Sequence, residues 1–190
     1  MRLRPVRLSD LEKFSLSAVA VIFVLGSLWH EGLKIFPEGS ARESAQRYVP
    51  WLFPKNESVW AHQLIFAWPF LLVSVVLFSW RAVWAPGRDV FLSRAAAFAL
   101  GLFLIPTVFL WYTGGDVQRS VLAVDILLFF VATVCSELLF LRLAKAYPAT
   151  KDRTILGVTL FALLFLVLIV GLSFADFDHS LFRVAEHDHD

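Results

Sequence analysis

Acidic and histidine side chains stand near one end of every long apolar segment of this chain. Carboxylate and imidazole groups can ligate a metal ion, act as a general base or move a proton. The set consists of His30, Glu31, Glu57, His62, Asp116, Asp125, Asp176, Asp178 and His179. If the apolar segments form one compact bundle, we expect several of these side chains to lie near one another.

Asp125 lies deepest within an apolar segment. It stands between Val124 and Ile126, about six residues into the fourth segment, which is roughly 9 Å at 1.5 Å per helical residue. A carboxylate inside a membrane is costly, so it usually faces the bundle interior and marks a site. The alternative is that Asp125 is protonated, or bonded to a neighbouring hydroxyl, and only fixes helix packing. We favour the functional interpretation.

The residues that lead into the second apolar segment contain two more candidates. Asn56 has the side chain of a helix N-cap, and Glu57 would then fall in the first turn, where the positive helix end favours an anion. No such structural role accounts for His62, which follows about one turn later. We therefore expect Glu57, His62 and Asp125 to act together as catalytic or ligand-binding residues.

A metal site would draw its ligands from separate helix ends. The candidate ligands are His30, Glu31, His62 and His179, with Asp125 as a further oxygen donor. Mixed imidazole and carboxylate sets suit a divalent zinc, iron or manganese ion. No local spacing such as H-E-x-x-H supports this site, so the prediction depends on the helix ends converging. Haem is not expected, because no histidine lies near the middle of a segment.

The elements that must position these residues are transmembrane helices. Of the 190 residues, 58% are hydrophobic and 17% are charged, whereas soluble domains carry roughly 45–50% apolar and about 25% charged residues. Lipid offers the backbone no hydrogen-bond partner, so apolar runs of about 20 residues must be helical. The sequence predicts a single all-α transmembrane domain over 1–190. Its helices are expected at about 14–30, 62–84, 91–112, 120–144 and 154–175, with an outer interfacial loop at about 33–60.

The distribution of charge predicts an orientation. Lysine and arginine residues are more frequent on the flanks that share the N-terminal side of the bundle. This asymmetry predicts a multi-pass protein of the cell inner membrane with a cytoplasmic N-terminus and an extracytoplasmic C-terminus. The formal net charge of +1 argues against a nucleic-acid surface, and the lone Cys135 excludes an intrachain disulfide.

Two features of the predicted spans concern packing. We expect Glu137, on the cytoplasmic side, to pair with an arginine of that side such as Arg142 or Arg81. Ala97 and Gly101 stand one turn apart in the third span, where a small-x-x-x-small pair should let another helix approach closely.

Four short motifs, in order along the chain, resemble one family of small bacterial integral membrane proteins that is classed as a domain of unknown function. Residues 54–62 (PKNESVWAH) resemble its P-x-N-E-S-V-W-E-H signature, and Tyr112-Thr113-Gly114 is similar to its Y-T-G element. Asp125-Ile126, followed by two phenylalanines, resembles its fourth-span D-I…F-F pattern. Residues 179–182 (HSLF) are similar to the ending of the family.

This resemblance implies a five-span protein in which Glu57, His62 and Asp125 act together. The acidic residue that the family places before the motif histidine is Ala61 here, which removes one carboxylate from any shared mechanism. The resemblance implies no particular reaction.

Three functions stay open at the level of sequence, which does not decide whether the protein is an enzyme. The first is a polar outer site, with or without a metal, that binds or acts on a lipid headgroup or another amphipathic ligand. The second is a non-enzymatic small subunit or assembly factor of a larger membrane complex. The third is a proton or small-solute transporter that works as an oligomer. The expected partners are membrane lipids, other membrane subunits or further copies of the chain, and no nucleic acid.

Overall fold

The protein folds into helices in every part of the chain that the structure, a computed structural model, describes. These parts are residues 9–35, 59–115 and 119–173, with only the backbone described at the helix ends 30–35, 59–62 and 171–173. The helices are α1 (Asp10–Ile35), α2 (Val59–Trp84), α3 (Phe91–Thr113), α4 (Leu122–Ala146) and α5 (Lys151–Ser173). The predicted all-helical class is confirmed.

All five helices are long and apolar enough to cross a membrane. Their apolar stretches are 20 to 25 residues long, with mean hydropathies from 1.7 to 2.5. A hydrocarbon core about 30 Å thick needs about 20 helical residues, so each stretch is sufficient for one crossing. These lengths and compositions are those of a multi-pass membrane protein, as the sequence predicts.

The connection between α2 and α3 lies directly against the connection between α4 and α5. The Asp89 amide donates a hydrogen bond to the Tyr147 carbonyl over 3.1 Å, and the Ala149 amide donates to the Gly87 carbonyl over 2.9 Å. Because these bonds join two separate turns, they hold the α2–α3 and α4–α5 connections together at one end of the bundle. Helix α3 packs against both α4 and α5.

The start of α1 lies at this same end of the bundle. Lys145, in the last turn of α4, bonds to Glu12, in the first turn of α1, with 2.5 Å between Nζ and Oε1. We call this end the Lys145 end. The opposite end, where α1 and α3 finish and α2 and α4 begin, contains Asp125 and is called the Asp125 end.

Phenylalanine rings fill the core between α2, α3 and α5. The Phe98 ring lies 4.9 Å from that of Phe161 and 5.3 Å from that of Phe70, centroid to centroid. All three side chains are buried. Offset aromatic pairs contribute about 0.5–1.5 kcal/mol each beyond the area that they bury. In a membrane, where lipid supplies no hydrophobic drive for helices to associate, such packing is a main source of stability.

Two glycines are needed because neighbouring helices come very close. A Cβ atom at Gly101 would overlap the Phe66 ring of α2 and would lie 2.9 Å from Ser136 Oγ of α4. A Cβ atom at Gly157 of α5 would overlap the backbone of Leu92 at the start of α3. The predicted close approach at Gly101 is confirmed, with α2 and α4 both packed against it.

Pro69 leaves one backbone carbonyl of α2 without its helical donor, and α1 covers this group. Proline has no N–H, so the carbonyl of Ile65, four residues earlier, loses its intrahelical partner. A Cβ atom at Gly26 of α1 would lie 2.7 Å from this carbonyl oxygen. The absence of a side chain at Gly26 therefore lets the α1 backbone shield the Ile65 carbonyl from lipid.

Candidate functional site

A tyrosine and an aspartate are hydrogen-bonded at the Asp125 end. The Tyr112 hydroxyl, in the last turn of α3, donates to Asp125 Oδ1 in the first turn of α4. Both side chains are partly exposed. The pair thus joins two helix ends, and this bond uses one of the two carboxylate oxygens. The sequence left open whether Asp125 serves a ligand site or is bonded to a neighbouring hydroxyl. The structure shows the bond to a hydroxyl, and this bond leaves the second carboxylate oxygen available to a ligand.

Asp125 lies nearer the end of its helix than the sequence indicated. Helix α4 begins at Leu122 because Val121 is extended, with φ −119° and ψ 112°. Asp125 is therefore three residues from the helix start, or about 4.5 Å at 1.5 Å per residue, rather than roughly 9 Å. In the first turn the carboxylate also meets the positive end of the helix, which lowers the cost of its charge.

Two glycines end α3 directly after Thr113, the residue that follows Tyr112. Gly114 and Gly115 have φ values of 65° and 83°, a left-handed conformation that glycine adopts without strain. The Gly115 amide donates to the Leu110 carbonyl over 3.1 Å, which satisfies a carbonyl at the helix end. This stop fixes Tyr112 in the last turn, where its hydroxyl reaches α4.

The remaining predicted site residues fall at or beyond the limits of the described residues. His30 and Glu31 belong to the last part of α1, and His62 belongs to the first turn of α2, so their backbones lie at the Asp125 end. Their side chains are outside the described residues, as are Glu57 and His179 in full. Joint action of Glu57, His62 and Asp125 stays a prediction.

The predicted metal site stays a prediction for the same reason. Within residues 9–35, 59–115 and 119–173, no group of three histidine, cysteine, aspartate or glutamate side chains could hold a metal ion. The four predicted ligands, His30, Glu31, His62 and His179, do not have described side chains.

A second polar group lies inside the bundle. Arg94 of α3 and Glu137 of α4 form an ion pair with 2.5 Å between Nη1 and Oε1, and their side chains are 0% and 2% exposed. The expected pairing of Glu137 with an inner arginine is confirmed, but the partner is Arg94, and the two suggested partners, Arg142 and Arg81, are wrong. Arg142 follows Glu137 by five residues, which places it about 140° around the helix at 3.6 residues per turn. Arg81 instead donates to the Phe78 carbonyl.

Three helices, α1, α2 and α4, supply the partners of this ion pair. Ser15 of α1 donates to Glu137 Oε2 over 2.7 Å, and Arg94 Nε donates to Ser74 Oγ of α2 over 2.9 Å. The Arg94 guanidinium lies 3.8 Å from the centre of the Phe70 ring and 5.1 Å from that of Phe140. We call these residues the Arg94 cluster: Ser15, Phe70, Ser74, Arg94, Glu137 and Phe140.

The Arg94 cluster lies inside the bundle, between the Lys145 end and the middle of the helices. Ser74 and Glu137 are each nine or ten residues from the end of their helix, or about 14 Å at 1.5 Å per residue. Arg94 itself belongs to the first turn of α3, so its long side chain reaches inward to them. The ion pair is therefore enclosed by helices that are long enough to cross a membrane.

Some donors of the cluster and its neighbours are not satisfied. Arg94 Nη2 and the hydroxyls of Ser93 and Ser136 are buried and have no hydrogen-bond partner among the described residues. Burying an ion pair costs several kcal/mol per ion in desolvation, and only well-satisfied geometry offsets it. Because this geometry is incomplete, stability alone does not account for the pair, and an ionisable group inside a membrane is a candidate for function.

Comparison with known proteins gives one result. A family of unknown function, DUF6512, matches residues 3–184. The chain belongs to DUF6512. The matched region includes all five helices of this DUF6512 protein and agrees with the resemblance of its motifs to an uncharacterised family. No curated protein and no solved structure matches the chain.

One sequence signal could have located the Arg94 cluster in this DUF6512 protein. Arg94, Ala97 and Gly101 are spaced i, i+3, i+7, so they share one face of α3. The small residues indicate that this face meets other helices, and Arg94 must then point inward with them. An arginine near the end of a membrane span more often extends its side chain to the aqueous surface. Interpreted in this way, Arg94 contributes only to the charge asymmetry that predicts the orientation of the chain.

Proposed function

We propose that this DUF6512 protein is a multi-pass protein of the cell inner membrane whose Asp125 end binds a lipid headgroup or another amphipathic ligand. The N-terminus and the Lys145 end are cytoplasmic in this proposal, and the Asp125 end is extracytoplasmic. The observation that carries the proposal is the hydrogen bond from Tyr112 to Asp125 across the ends of α3 and α4.

The chemistry of this pair suits a headgroup. A phenol and a carboxylate offer one donor and several acceptor positions, which match the ammonium and hydroxyl groups of lipid headgroups. A tyrosine near a membrane boundary places its ring in the apolar layer and its hydroxyl at the level of the headgroups. A bound ligand would therefore have its polar part at Asp125 and Tyr112.

The surface around the pair suits the apolar part of the same ligand. Leu122, Ile126 and Leu127 are large hydrophobic side chains that lie exposed in the first turns of α4, on either side of Asp125 in the chain. Acyl chains pack against such surfaces in a bilayer. A polar group among exposed apolar side chains suits a ligand that has a polar and an apolar part.

Lipid binding by the purified full chain tests the proposal. Phosphatidylethanolamine or phosphatidylglycerol is added to the protein in detergent, and bound lipid is counted by native mass spectrometry. Hydrogen bonds to charged groups contribute about 1.5–3 kcal/mol, so Asp125→Asn and Tyr112→Phe should weaken binding of one of these lipids about tenfold or more. Tyr147→Phe and Glu12→Gln are matched controls at the Lys145 end. Equal affinities in all five proteins would contradict the proposal.

In the catalytic version of this proposal, a divalent metal joins the site. His30, Glu31, His62 and His179 would hold the metal, and Glu57 or Asp125 would act as general base. The metal would polarise a carbonyl or phosphoryl oxygen of the ligand and activate water.

Metal analysis of the purified protein tests this version. A metal should be found in a stoichiometric amount and should be lost in His62→Ala, because one ligand fewer weakens the site. Tyr112→Phe, which removes no predicted ligand, is the control. Absence of stoichiometric metal from the unaltered protein would end the metalloenzyme version and leave ligand binding in place.

A further inference from the structure

We propose that a groove between α1 and α2 binds one molecule of a zwitterionic phospholipid, phosphatidylethanolamine, from the membrane leaflet at the Lys145 end. This site is separate from the proposed ligand site at the Asp125 end and does not depend on it. The lipid is a ligand with a fixed place on the protein, with its headgroup at the start of α1 and one acyl chain along the groove.

The size of the groove suits such a ligand. Its volume is about 630 Å³, within the range of roughly 300–1,000 Å³ that is common for ligand sites. On α1 it runs from Lys13 to Leu25, a separation of twelve residues, which is about 18 Å at 1.5 Å per residue. Half of a hydrocarbon core about 30 Å thick is about 15 Å. The groove is therefore long enough for an acyl chain that crosses one leaflet.

The charged groups of the groove lie at one of its ends. Helix α1 begins and α2 finishes at the Lys145 end, where the rings of Phe14 and Trp84 are 4.8 Å apart. Among the described residues that line the groove, the charged ones are Asp10 and Lys13, both at the start of α1. A tryptophan beside charged groups at the end of a span is typical of the membrane interface. The groove thus has a headgroup end and an apolar remainder, as a phospholipid does.

The apolar remainder of the groove is not filled by the bundle itself. Ala18 of α1 and Val73 of α2 are buried, whereas Val21, Leu72 and Val76, which line the groove beside them, are large hydrophobic side chains that lie exposed. Another molecule must cover these side chains, and in a bilayer an acyl chain does so without any polar group to satisfy.

The charges at the headgroup end favour a zwitterionic lipid. Lys13 Nζ lies 3.0 Å from Asp10 Oδ1, and the two side chains are 62% and 68% exposed. An exposed pair of this kind contributes little to stability, so both groups can turn to a ligand. Lys13 would bind the phosphate of phosphatidylethanolamine, and Asp10 would bind its ammonium group. An anionic headgroup such as phosphatidylglycerol brings no cation for Asp10, so it should bind more weakly.

Filling the groove tests whether it holds a lipid. Phosphatidylethanolamine is titrated onto the full chain in detergent, and bound lipid is counted by native mass spectrometry. Val76→Trp places an indole ring in the groove and should reduce the count by one. Val75→Trp is the matched control, because this neighbouring valine is similarly exposed and does not line the groove. Val21→Trp, with Val24→Trp as its control, gives the same comparison on α1 if Val76→Trp does not fold.

Two outcomes of this experiment would overturn the proposal. Equal lipid counts in Val76→Trp and Val75→Trp, and in the α1 pair, would show that lipid only coats the surface of the bundle. A dimer that dissociates in Val76→Trp would show that the groove is an interface between copies of the chain.

Charge substitutions test the choice of headgroup. They are made in an Asp125→Asn background, so that lipid at the other end contributes little. Lys13→Gln should weaken phosphatidylethanolamine binding about fivefold, the effect of one lysine near a lipid phosphate. Asp10→Asn should abolish the preference for phosphatidylethanolamine over phosphatidylglycerol. Lys151→Gln and Asp152→Asn are matched controls, since both residues are exposed at the start of α5, at the same end. Tighter binding of phosphatidylglycerol before Asp10 is changed would contradict the proposal.

The two lipid sites can be distinguished by the variants that affect them. The molecule lost in Val76→Trp should remain bound in Asp125→Asn. Loss at one end without loss at the other would support one proposal and leave the other to fail by itself.

Discussion

Arg94 and Asp125 differ in how the protein compensates their charge. Asp125 is partly exposed, sits in the first turn of a helix and has a neutral donor, Tyr112. Arg94 is fully buried and depends on Glu137, Ser74 and two aromatic rings, contributed by other helices. Loss of a partner should therefore matter far more at Arg94 than at Asp125.

Removing one partner of the buried pair should strongly destabilise the protein. Arg94→Met or Glu137→Leu alone leaves an uncompensated charge in the core, which costs about 3–5 kcal/mol. The double variant removes both charges and should recover most of this loss. Thermal unfolding in detergent, followed by circular dichroism, measures all three.

An additive result from this double-mutant cycle would contradict the coupling of the two charges. The pair Glu12→Gln and Lys145→Met is the control, because this ion pair is partly exposed and should couple by no more than about 1 kcal/mol.

The two polar sites were not equally predictable from the sequence. Asp125 could be singled out because one carboxylate in an apolar run is visible without any knowledge of its neighbours. The partner of Glu137 could not be chosen, because Arg94 is 43 residues away along the chain and only the packing of α3 on α4 brings them together. The distance between helix ends is likewise a tertiary property, so the sequence can suggest that Glu57, His62 and Asp125 converge but cannot establish it.

At the scale of the helices, composition predicts that the five spans exist, whereas the packing between helices decides where each span lies. Apolar length alone identifies the five spans, because only helices satisfy the backbone in lipid. The small pair Ala97 and Gly101 indicates a contact face without saying which helices occupy it. Gly157, where α5 meets the start of α3, has no partner at small-x-x-x-small spacing, so the sequence gives no sign of its role.

Alanine at the two close-packed glycines should have unequal effects. At Gly157 the new Cβ meets the backbone of Leu92, which cannot move aside, whereas at Gly101 it meets the end of the Phe66 side chain. Overpacking commonly costs about 1–3 kcal/mol, and we expect Gly157→Ala at or above the upper limit and Gly101→Ala below it.

A second substitution separates these cases. Phe66→Leu should rescue Gly101→Ala in thermal unfolding, because the shorter side chain vacates the space. It should not rescue Gly157→Ala. Rescue of both, or of neither, would show that the contacts at Gly101 and Phe66 have been misassigned.

At the scale of the whole molecule, the antiparallel order of the helices gives two ends of different character. The Lys145 end contains the short connections and most of the lysine and arginine residues in the described parts of the chain, whereas the Asp125 end contains the helix ends of His30, Glu31 and His62. The contacts within the bundle show which residues pack together, but they do not show which side of a membrane each end faces. Orientation therefore rests on the lysine and arginine distribution.

Cysteine labelling checks this orientation. In a Cys135→Ser background, Ser120→Cys at the Asp125 end should react with a membrane-impermeant maleimide in right-side-out vesicles. Ala149→Cys, in the turn at the Lys145 end, should react only after the membrane is opened. Both positions are exposed, so accessibility within the protein is matched. The reverse pattern would place the Asp125 end in the cytoplasm.

The place of Arg94 in the first turn of its helix has a consequence for biosynthesis. Ribosomes deliver α3 to the bilayer before α4, so this cation arrives earlier than its counter-ion on Glu137. A long side chain one turn from the interface can extend into the headgroup layer until the acidic helix is inserted. Burial of this cation is then postponed to the moment when α4 brings its counter-ion and both charges fold inward together.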